Sequence, residues 1–288
     1  MKEQLSRGRD IHFDVFDRVI AAQEWGKPGG RKVLAIHGWL DNSASFAPMS
    51  NHLEDVHFIA LDTAGHGHSS HIAPGLAYNI WQDIADIFAI ADSLGWQEFN
   101  LIGHSRGAII AALAAGTFPE RIKGLGLIDA LAPPPISAED SPAQLAKSIV
   151  DVARRQDRAT SIFKDADAAI VARQKGMHKI SEQAARLIVE RGIKPVAGGY
   201  TWCSDPRLMS ASAFKLSQEQ IEAFLGRISA NCCLIAASLG LQKYIAKQEG
   251  LLGKISHIEK HLFDGGHFLH MEEHQYDIAR LIDAILRP

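Results

Sequence analysis

Short apolar runs that end in small or polar residues recur along the first half of the chain. They cover residues 32–36, 57–61, 99–102 and 124–128, and they are nearly continuous in apolar residues rather than alternating. This pattern is typical of strands that are buried on both faces, as in a parallel sheet covered by helices. The chain is therefore predicted to build a largely parallel sheet whose strands end in polar residues.

Helical patterns separate several of these runs. Residues 79–94 carry apolar side chains at helical spacing, and residues 106–117 are rich in Ala and Ile and are followed by Pro119. Alternation of strands and helices predicts an α/β fold with right-handed crossovers. Residues 11–16 and 19–25 resemble an opening hairpin, which we expect to be antiparallel at the sheet edge.

The middle of the chain loses the strand rhythm. Residues 143–155, 165–175 and 181–191 each fit a helix, and we see no strand-length apolar run between them. Strand candidates resume at 232–238 and 257–263, and a terminal helix is predicted over 272–286. We therefore expect one core, residues 1–130 and 214–288, interrupted by a helical cap over residues 131–213.

Charge, hydropathy and cysteine content argue against several classes of protein. The 288 residues carry 30 Lys and Arg against 33 Asp and Glu, a net charge of −3, so no nucleic-acid partner is expected. Residues 1–16 lack the apolar core of a signal peptide, and no stretch approaches about 18 apolar residues, so no membrane association is expected. The odd set Cys203, Cys232 and Cys233 is not a disulfide framework, which favours a reducing, cytoplasmic location.

The segment Gly103-His104-Ser105-Arg106-Gly107 matches the pattern G-x-S-x-G between a predicted strand and a predicted helix. The pattern alone is weak, and an ordinary turn serine is the alternative. Its context strengthens it, because a nucleophilic serine needs a sharp strand-to-helix turn that exposes its hydroxyl. Glycine on both sides lets the strand and the helix approach without Cβ clashes.

Four stretches together resemble the α/β-hydrolase superfamily. They are His37-Gly38-Trp39 after a strand, residues 62–69 after the next strand, the serine turn, and Gly265-Gly266-His267-Phe268 near the end. Within that superfamily, residues 37–46 and 200–208 are similar to the serine hydrolase-like proteins. The resemblance implies an α/β-hydrolase fold: a mostly parallel eight-stranded sheet flanked by helices, with an inserted helical cap.

The resemblance also implies a catalytic triad. Ser105 would be the nucleophile of a nucleophile elbow, and it needs an adjacent base because a serine hydroxyl is a poor nucleophile at neutral pH. His267 is the best candidate, since the superfamily keeps its catalytic histidine in a turn after the last strand. His270 and His274 are nearby competitors that we expect to be packing or surface residues.

The triad acid is where this sequence departs from the usual superfamily pattern. Most members carry Asp or Glu in the loop after the seventh strand, but residues 237–242 contain no carboxylate. Asp129 follows the sixth predicted strand, where some members carry their acid, and it keeps the order of nucleophile, acid and base. Glu249, Asp264 and a dyad without an acid remain as alternatives.

Two backbone N–H groups are expected to form the oxyanion hole, from Arg106 and from Trp39. Trp39 and His104 are also candidates for substrate binding, although simple packing is the alternative for both side chains.

Cofactor sites leave no clear trace in the sequence. There is no dinucleotide fingerprint and no P-loop, so no cofactor is expected. His66, His68 and His71 could suggest a metal cluster, but they lie in a loop typical of the superfamily, where we expect a structural role and no metal.

These residues predict a serine hydrolase that cleaves a carboxylic ester or related acyl compound through an acyl-enzyme. Serine in place of aspartate at position 105 disfavours dehalogenase and epoxide hydrolase activity. The alternatives are a C–C bond hydrolase that uses the same triad and a non-catalytic ligand-binding protein on a hydrolase scaffold. The expected partner is a small-molecule acyl substrate, and the expected assembly is a monomer or a homodimer.

Overall fold

A computed structural model describes residues 7–156, 158 and 160–287 of the chain. Residues 1–6 and Pro288 lie outside the described part. Residues 1–6 belong to the expected core and to the N-terminal segment that lacks the pattern of a signal peptide. The strands of the described part, in chain order, are β1 Arg9–Val15, β2 Arg18–Gly26, β3 Arg31–Ile36, β4 Val56–Leu61, β5 Phe99–His104, β6 Ile122–Ile128, β7 Ile162–Phe163, β8 Ile193–Val196, β9 Gly199–Trp202, β10 Asn231–Ala237 and β11 Ile258–Phe263.

Eight of these strands form one large sheet in the order β1-β2-β4-β3-β5-β6-β10-β11. The pairs β1–β2 and β2–β4 are antiparallel, and the remaining pairs are parallel. The predicted mostly parallel eight-stranded sheet and its opening hairpin are confirmed. Every residue of β4 and β5 is buried, as their uninterrupted apolar runs predict.

Helices cover both faces of this sheet. Their bounds are α1 Ala47–Ser50, α2 Ile80–Ser93, α3 Arg106–Thr117, α4 Ser141–Arg155, α5 Ala166–Gln174, α6 Glu182–Gly192, α7 Gln218–Leu225, α8 Gln242–Ala246, α9 Glu249–Leu252 and α10 Gln275–Leu286. One apolar core lies on the face of α2, α3 and α7, and another lies on the face of α1 and α10. The predicted terminal helix begins at Gln275 rather than at residue 272, because residues 271–274 form turns.

The segment expected to be a helical cap holds α4, α5 and α6, and it also holds a small antiparallel sheet in the order β7-β9-β8. The three helices predicted for this segment are present, but the small sheet was not predicted. These strands have only two to four residues and are half-exposed, so they lack the buried apolar runs that mark the core strands. Ala197 and Gly198 make the two-residue turn between β8 and β9, and Gly198 has a positive φ of 88°.

Arg191 at the end of α6 links this segment to the core. Its Nε donates to Asp62 Oδ2 at 2.9 Å, and its Nη1 pairs with Asp10 of β1. Burial opposes ionisation of Asp62, but Arg191 and two backbone N–H donors outweigh it and lower the pKa of the Asp62 carboxyl. The inserted segment is therefore fixed over the carboxyl ends of the strands by a buried ion pair.

Candidate active site

Ser105 lies between the last residue of β5 and the first residue of α3, in a strained backbone conformation. Its φ is 54° and its ψ is −119°, a backbone conformation that residues other than glycine rarely adopt. The Ser105 N–H donates to Ile128 O of β6 at 2.8 Å, which holds the turn against the neighbouring strand. This is the geometry that a nucleophile elbow requires.

The two glycines of the G-x-S-x-G segment allow close backbone approach. A Cβ on Gly103 would lie 2.2 Å from Gly107 O, and a Cβ on Gly107 would lie 2.0 Å from Ile36 O. Neither contact could be relieved by rotation of a side chain, because both neighbours are backbone atoms. The spacing of glycines around Ser105 therefore follows from the packing of α3 against β3 and β5.

Asp129 and His267 meet at the end of β6. The His267 Nδ1–H donates to Asp129 Oδ2 at 2.6 Å, and both side chains are buried. Asp129 also has a positive φ of 52°, and its own N–H donates to Ile235 O of β10 at 2.7 Å. A carboxylate behind Nδ1 fixes the tautomer that leaves Nε2 free to accept a proton.

The end of β10 and the loop after it, which carries no carboxylate, wrap around the carboxylate of Asp129. Ala237 N–H donates to Oδ1 at 3.0 Å and Leu241 N–H donates to Oδ2 at 2.9 Å. A Cβ on Gly240 would lie only 2.1 Å from Asp129 Oδ2, so this loop position has no room for a side chain. The loop supplies backbone donors to Asp129 in place of an acid of its own.

The two other candidate acids are engaged elsewhere. Glu249 pairs with Lys260 Nζ at 2.9 Å, and Asp264 accepts a hydrogen bond from Ser238 Oγ at 2.7 Å. Within the described residues, only Asp129 among the three candidates contacts the His267 ring.

The backbone of His267 is tied to the serine turn through His104. His104 Nε2–H donates to His267 O at 2.9 Å, and the two rings lie 4.6 Å apart. The hydrogen bonds of residues 7–156, 158 and 160–287 do not include one between Ser105 Oγ and His267. Such bonds are often long without a substrate and tighten only in the reacting complex.

The prediction that His104 binds substrate is wrong, because its side chain is fully buried. A side chain without exposed surface cannot touch a bound molecule, and this ring packs instead between His267 and His270, the latter at 4.2 Å. Burial lowers the pKa of His104 well below its usual range, and it lowers the pKa of His270 to about 3. Both rings are uncharged packing partners behind the candidate base, as expected for His270.

Sequence reasoning missed His178, which lies between α5 and α6 in the inserted segment. Its ring packs on the ring of His267, with centroids 4.2 Å apart and planes inclined by 32°. His178 stands in a polar stretch without a motif, so no sequence signal could have identified it.

A second contact from the inserted segment that the sequence did not reveal lies close by. Arg173 Nη2 pairs with Asp41 Oδ1 at 2.6 Å, and its guanidinium lies 4.9 Å from the centre of the Phe268 ring. The inserted segment therefore contacts both the loop after β3 and the turn that carries His267.

The loop after β3, which carries the predicted oxyanion donor Trp39, is held by hydrogen bonds of His37. His37 Nδ1–H donates to Gly38 O at 2.7 Å, and His37 Nε2 accepts from Thr63 N–H at 3.1 Å. Burial lowers the pKa of His37, in agreement with a neutral ring that has one donor and one acceptor nitrogen. Leu40 has a positive φ of 60°, so this loop turns sharply right after Trp39.

The two predicted oxyanion donors, Arg106 and Trp39, lie at the start of α3 and in the loop after β3. Arg106 is the first residue of α3, and the N–H groups of the first helical turn have no partner within the helix. Trp39 precedes the sharp turn at Leu40, and its indole Nε1–H donates to Leu208 O at 3.0 Å. The Trp39 ring thereby connects the loop after β3 to the inserted segment.

A cleft of about 290 Å³ opens beside these two residues. It is lined by Trp39, Tyr78, Asn79, Ile80, Trp81, Arg106, Ile109, Pro133, Pro134, Leu208, Ser210, Ser212, Phe214, Lys215 and Leu216. Ser105 and His267 are not among the lining residues, but Arg106 adjoins Ser105 in the chain. The cleft therefore borders the serine turn, and its lining is mostly apolar.

Two acids of α2 pair with arginines of other elements. Arg106 Nη2 pairs with Asp83 Oδ2 at 2.5 Å, and Arg18 Nη2 pairs with Asp86 Oδ1 at 2.8 Å. Burial raises the pKa of both carboxyls, to about 6 for Asp86. The Arg106 charge is thus already matched by an acid on α2.

The histidine-rich loop after β4 is held by hydrogen bonds within the protein. His66 lies against His37 with ring centroids 4.9 Å apart, His68 N–H donates to Asp62 Oδ2 at 2.9 Å, and His71 Nε2–H donates to Cys203 O at 2.9 Å. Among the residues that the structure describes, no group of three His, Cys, Asp or Glu side chains is placed to hold a metal ion.

No helix in the described part of the chain is long and apolar enough to cross a membrane.

Comparison with known proteins agrees with this architecture. A family model described as alpha/beta hydrolase fold matches residues 32–213. The chain is 30% identical to "Serine hydrolase-like protein 2" of Homo sapiens, over 93% of this chain and 90% of the human protein. It is 28% identical to "Serine hydrolase-like protein" of Danio rerio, over 93% of this chain and 85% of the fish protein.

A solved structure is similar over nearly the whole chain. The crystal structure of a hypothetical protein from Pseudomonas aeruginosa PAO1 is 35% identical in sequence, with a TM-score of 0.89. The alignment covers 96% of this chain and 97% of the other, so the inserted segment is included in the similarity.

Proposed function

Because the chain belongs to the α/β-hydrolase superfamily, we propose that it is a serine hydrolase that cleaves a carboxylic ester or a related acyl compound. The observation that carries this proposal is the hydrogen bond between His267 Nδ1 and Asp129 Oδ2 at the strand ends that also bear the strained Ser105. A positioned base and a half-buried serine on a strained turn at the same strand ends form the arrangement that nucleophilic acyl transfer needs.

The first half of the proposed reaction forms an acyl-enzyme. Ser105 Oγ attacks the carbonyl carbon of the substrate, and its proton passes to His267 Nε2. Asp129 accepts the Nδ1–H and stabilises the imidazolium that forms. The N–H groups of Arg106 and Trp39 stabilise the negative charge that develops on the carbonyl oxygen. The carbon–oxygen bond to the alcohol then breaks, and the alcohol leaves with the proton from His267.

The second half releases the acid. A water molecule gives a proton to His267 Nε2 as its oxygen attacks the acyl carbon, and the bond to Ser105 Oγ breaks as that proton returns to the serine. The inserted segment, residues 131–213, would act as a cap that limits substrate size. No cofactor takes part in these steps.

Labelling with a fluorophosphonate tests the proposal directly. The wild-type protein should form one covalent adduct, which mass spectrometry of peptides should locate on Ser105. Ser105→Ala should form no adduct and should lose hydrolysis of a p-nitrophenyl ester. An unlabelled Ser105 in the folded wild-type protein would refute the hydrolase and would favour a ligand-binding protein on the same scaffold.

A further inference from the structure

The charge of the cleft beside the serine turn is unusual for this chain. Its lining contains two cationic side chains, Arg106 and Lys215, and no carboxylate, although the whole chain has more acidic than basic residues. A largely apolar wall strengthens the field of the charges that remain, because it keeps water away from them. The cleft therefore favours a ligand of opposite charge.

The two cations are not equivalent. Arg106 is paired with the buried Asp83, and its Nη1 is itself covered by protein. Lys215 is half-buried and forms no ion pair with any residue in the described part of the chain. The positive charge of Lys215 is therefore the one in the cleft that a ligand could match.

The position of Lys215 is fixed by its neighbour. Leu216 is buried, and its carbonyl accepts a hydrogen bond from Ile136 N–H at 2.9 Å. The backbone of this segment is thus held against the chain that leaves β6, and the Lys215 ammonium projects from an anchored site. The lining of the same cleft also contains Trp39, Trp81 and Ile109, which offer an apolar surface.

We propose that the cleft binds an amphipathic carboxylate, with its anionic group paired with Lys215 and its apolar stem packed on Trp39, Trp81 and Ile109. The inference rests on the proposed function in taking this cleft as the substrate site. The substrate would then be an ester whose acyl or alcohol part carries a free carboxylate. Matching an uncompensated, half-buried cation gives such a ligand an advantage that a neutral analogue lacks.

Binding is measured without turnover, with two ligands of the same shape that differ in charge. Isothermal titration calorimetry of the wild-type protein should give a Kd for 4-phenylbutyrate at least tenfold lower than that for 4-phenylbutyramide. In Lys215→Met, which keeps the stem of the side chain, this preference should fall to less than twofold. The matched control Lys147→Met removes an exposed lysine of α4 that does not line the cleft, and it should keep the wild-type preference.

Three results would overturn the inference: equal affinity for the acid and the amide, an unchanged preference in Lys215→Met, or no binding of either ligand. The outcome is distinguishable from that of the proposed function. If a fluorophosphonate labels Ser105 but the protein binds the acid and the amide equally, the proposed hydrolase function is retained and this inference is rejected. Carboxylate binding without Ser105 labelling would keep the binding site and remove the hydrolase.

Discussion

The ring of His178 stacks on the ring of His267, with centroids 4.2 Å apart and an angle of 32° between their planes. Burial, followed by the nearness of His267, lowers the pKa of His178. An uncharged ring can pack on the candidate base without electrostatic repulsion. The proposed cap thus contributes a second ring, besides that of His104, that packs on His267.

We expect His178→Ala to lower kcat/KM for a p-nitrophenyl ester by about tenfold, because an unsupported His267 ring loses its alignment with Ser105. His178→Phe keeps a flat ring in the same place and should retain most of the activity. Steady-state kinetics and thermal unfolding of both variants give the comparison. Equal loss in the two variants, at unchanged stability, would show that stacking is not what His178 contributes.

Asp129→Asn should lower kcat by three to four orders of magnitude, the scale on which loss of the triad acid acts. An amide in place of the Oδ2 carboxylate cannot stabilise the imidazolium, and it can impose the wrong tautomer on His267. Ester hydrolysis is compared with that of Glu249→Gln and Asp264→Asn, which should both stay near the wild-type rate. Full turnover in Asp129→Asn together with loss in Glu249→Gln would reassign the acid.

Gly240→Ala should reduce both stability and activity, because its Cβ would lie 2.1 Å from Asp129 Oδ2. Relief requires movement of either the loop or the carboxylate, and overpacking of this kind costs about 1–3 kcal/mol. The matched control is Gly250→Ala in α9, where a Cβ meets nothing within 4 Å. Denaturant unfolding and ester hydrolysis should show a loss for the first variant and neither loss for the second.

Much of the fold was predictable because its signals are local. The buried runs of β3, β4, β5 and β6 are visible as uninterrupted apolar stretches, and parallel strand ends meet at one edge of a sheet. This reasoning picked out Asp129 from its strand-end position, and the structure brings it to His267. The role of the loop after β10 was not predictable. Nearly every residue has a backbone N–H group, so the sequence does not reveal which of them donate to Asp129, and the missing acid by itself does not indicate what replaces it.

The inserted segment shows the limit of the same approach. Its strands have two to four residues, too few to produce a periodic pattern. The contact of His178 with His267 joins residues 89 positions apart through the packing of polar surfaces, which depends on the tertiary structure alone. The sequence could predict where strand ends converge, but not which side chain of the segment above would reach them.

The buried ring of His270 makes stability dependent on pH. Neither ring nitrogen has a hydrogen-bond partner in the part of the chain that the structure describes, and burial lowers the pKa of this group to about 3. In the unfolded chain it takes up a proton near its ordinary value of 6.5. Between these values the unfolded state binds more protons, so stability is fully present above about pH 6.5 and is lost as the pH falls towards 3.

One such group contributes up to about 1.4 kcal/mol of lost stability for each pH unit in this window. His270→Phe removes the titrating group, so the free energy of unfolding in urea should decline less steeply from pH 6.5 to pH 4 than it does in the wild-type protein. Phe46→Leu is the matched control, since Phe46 packs on the same ring at 5.7 Å and does not titrate. Phe46→Leu should lose the same stability at every pH. If the free energy of unfolding of His270→Phe runs parallel to that of the wild-type protein across this pH range, the acid sensitivity does not come from this ring.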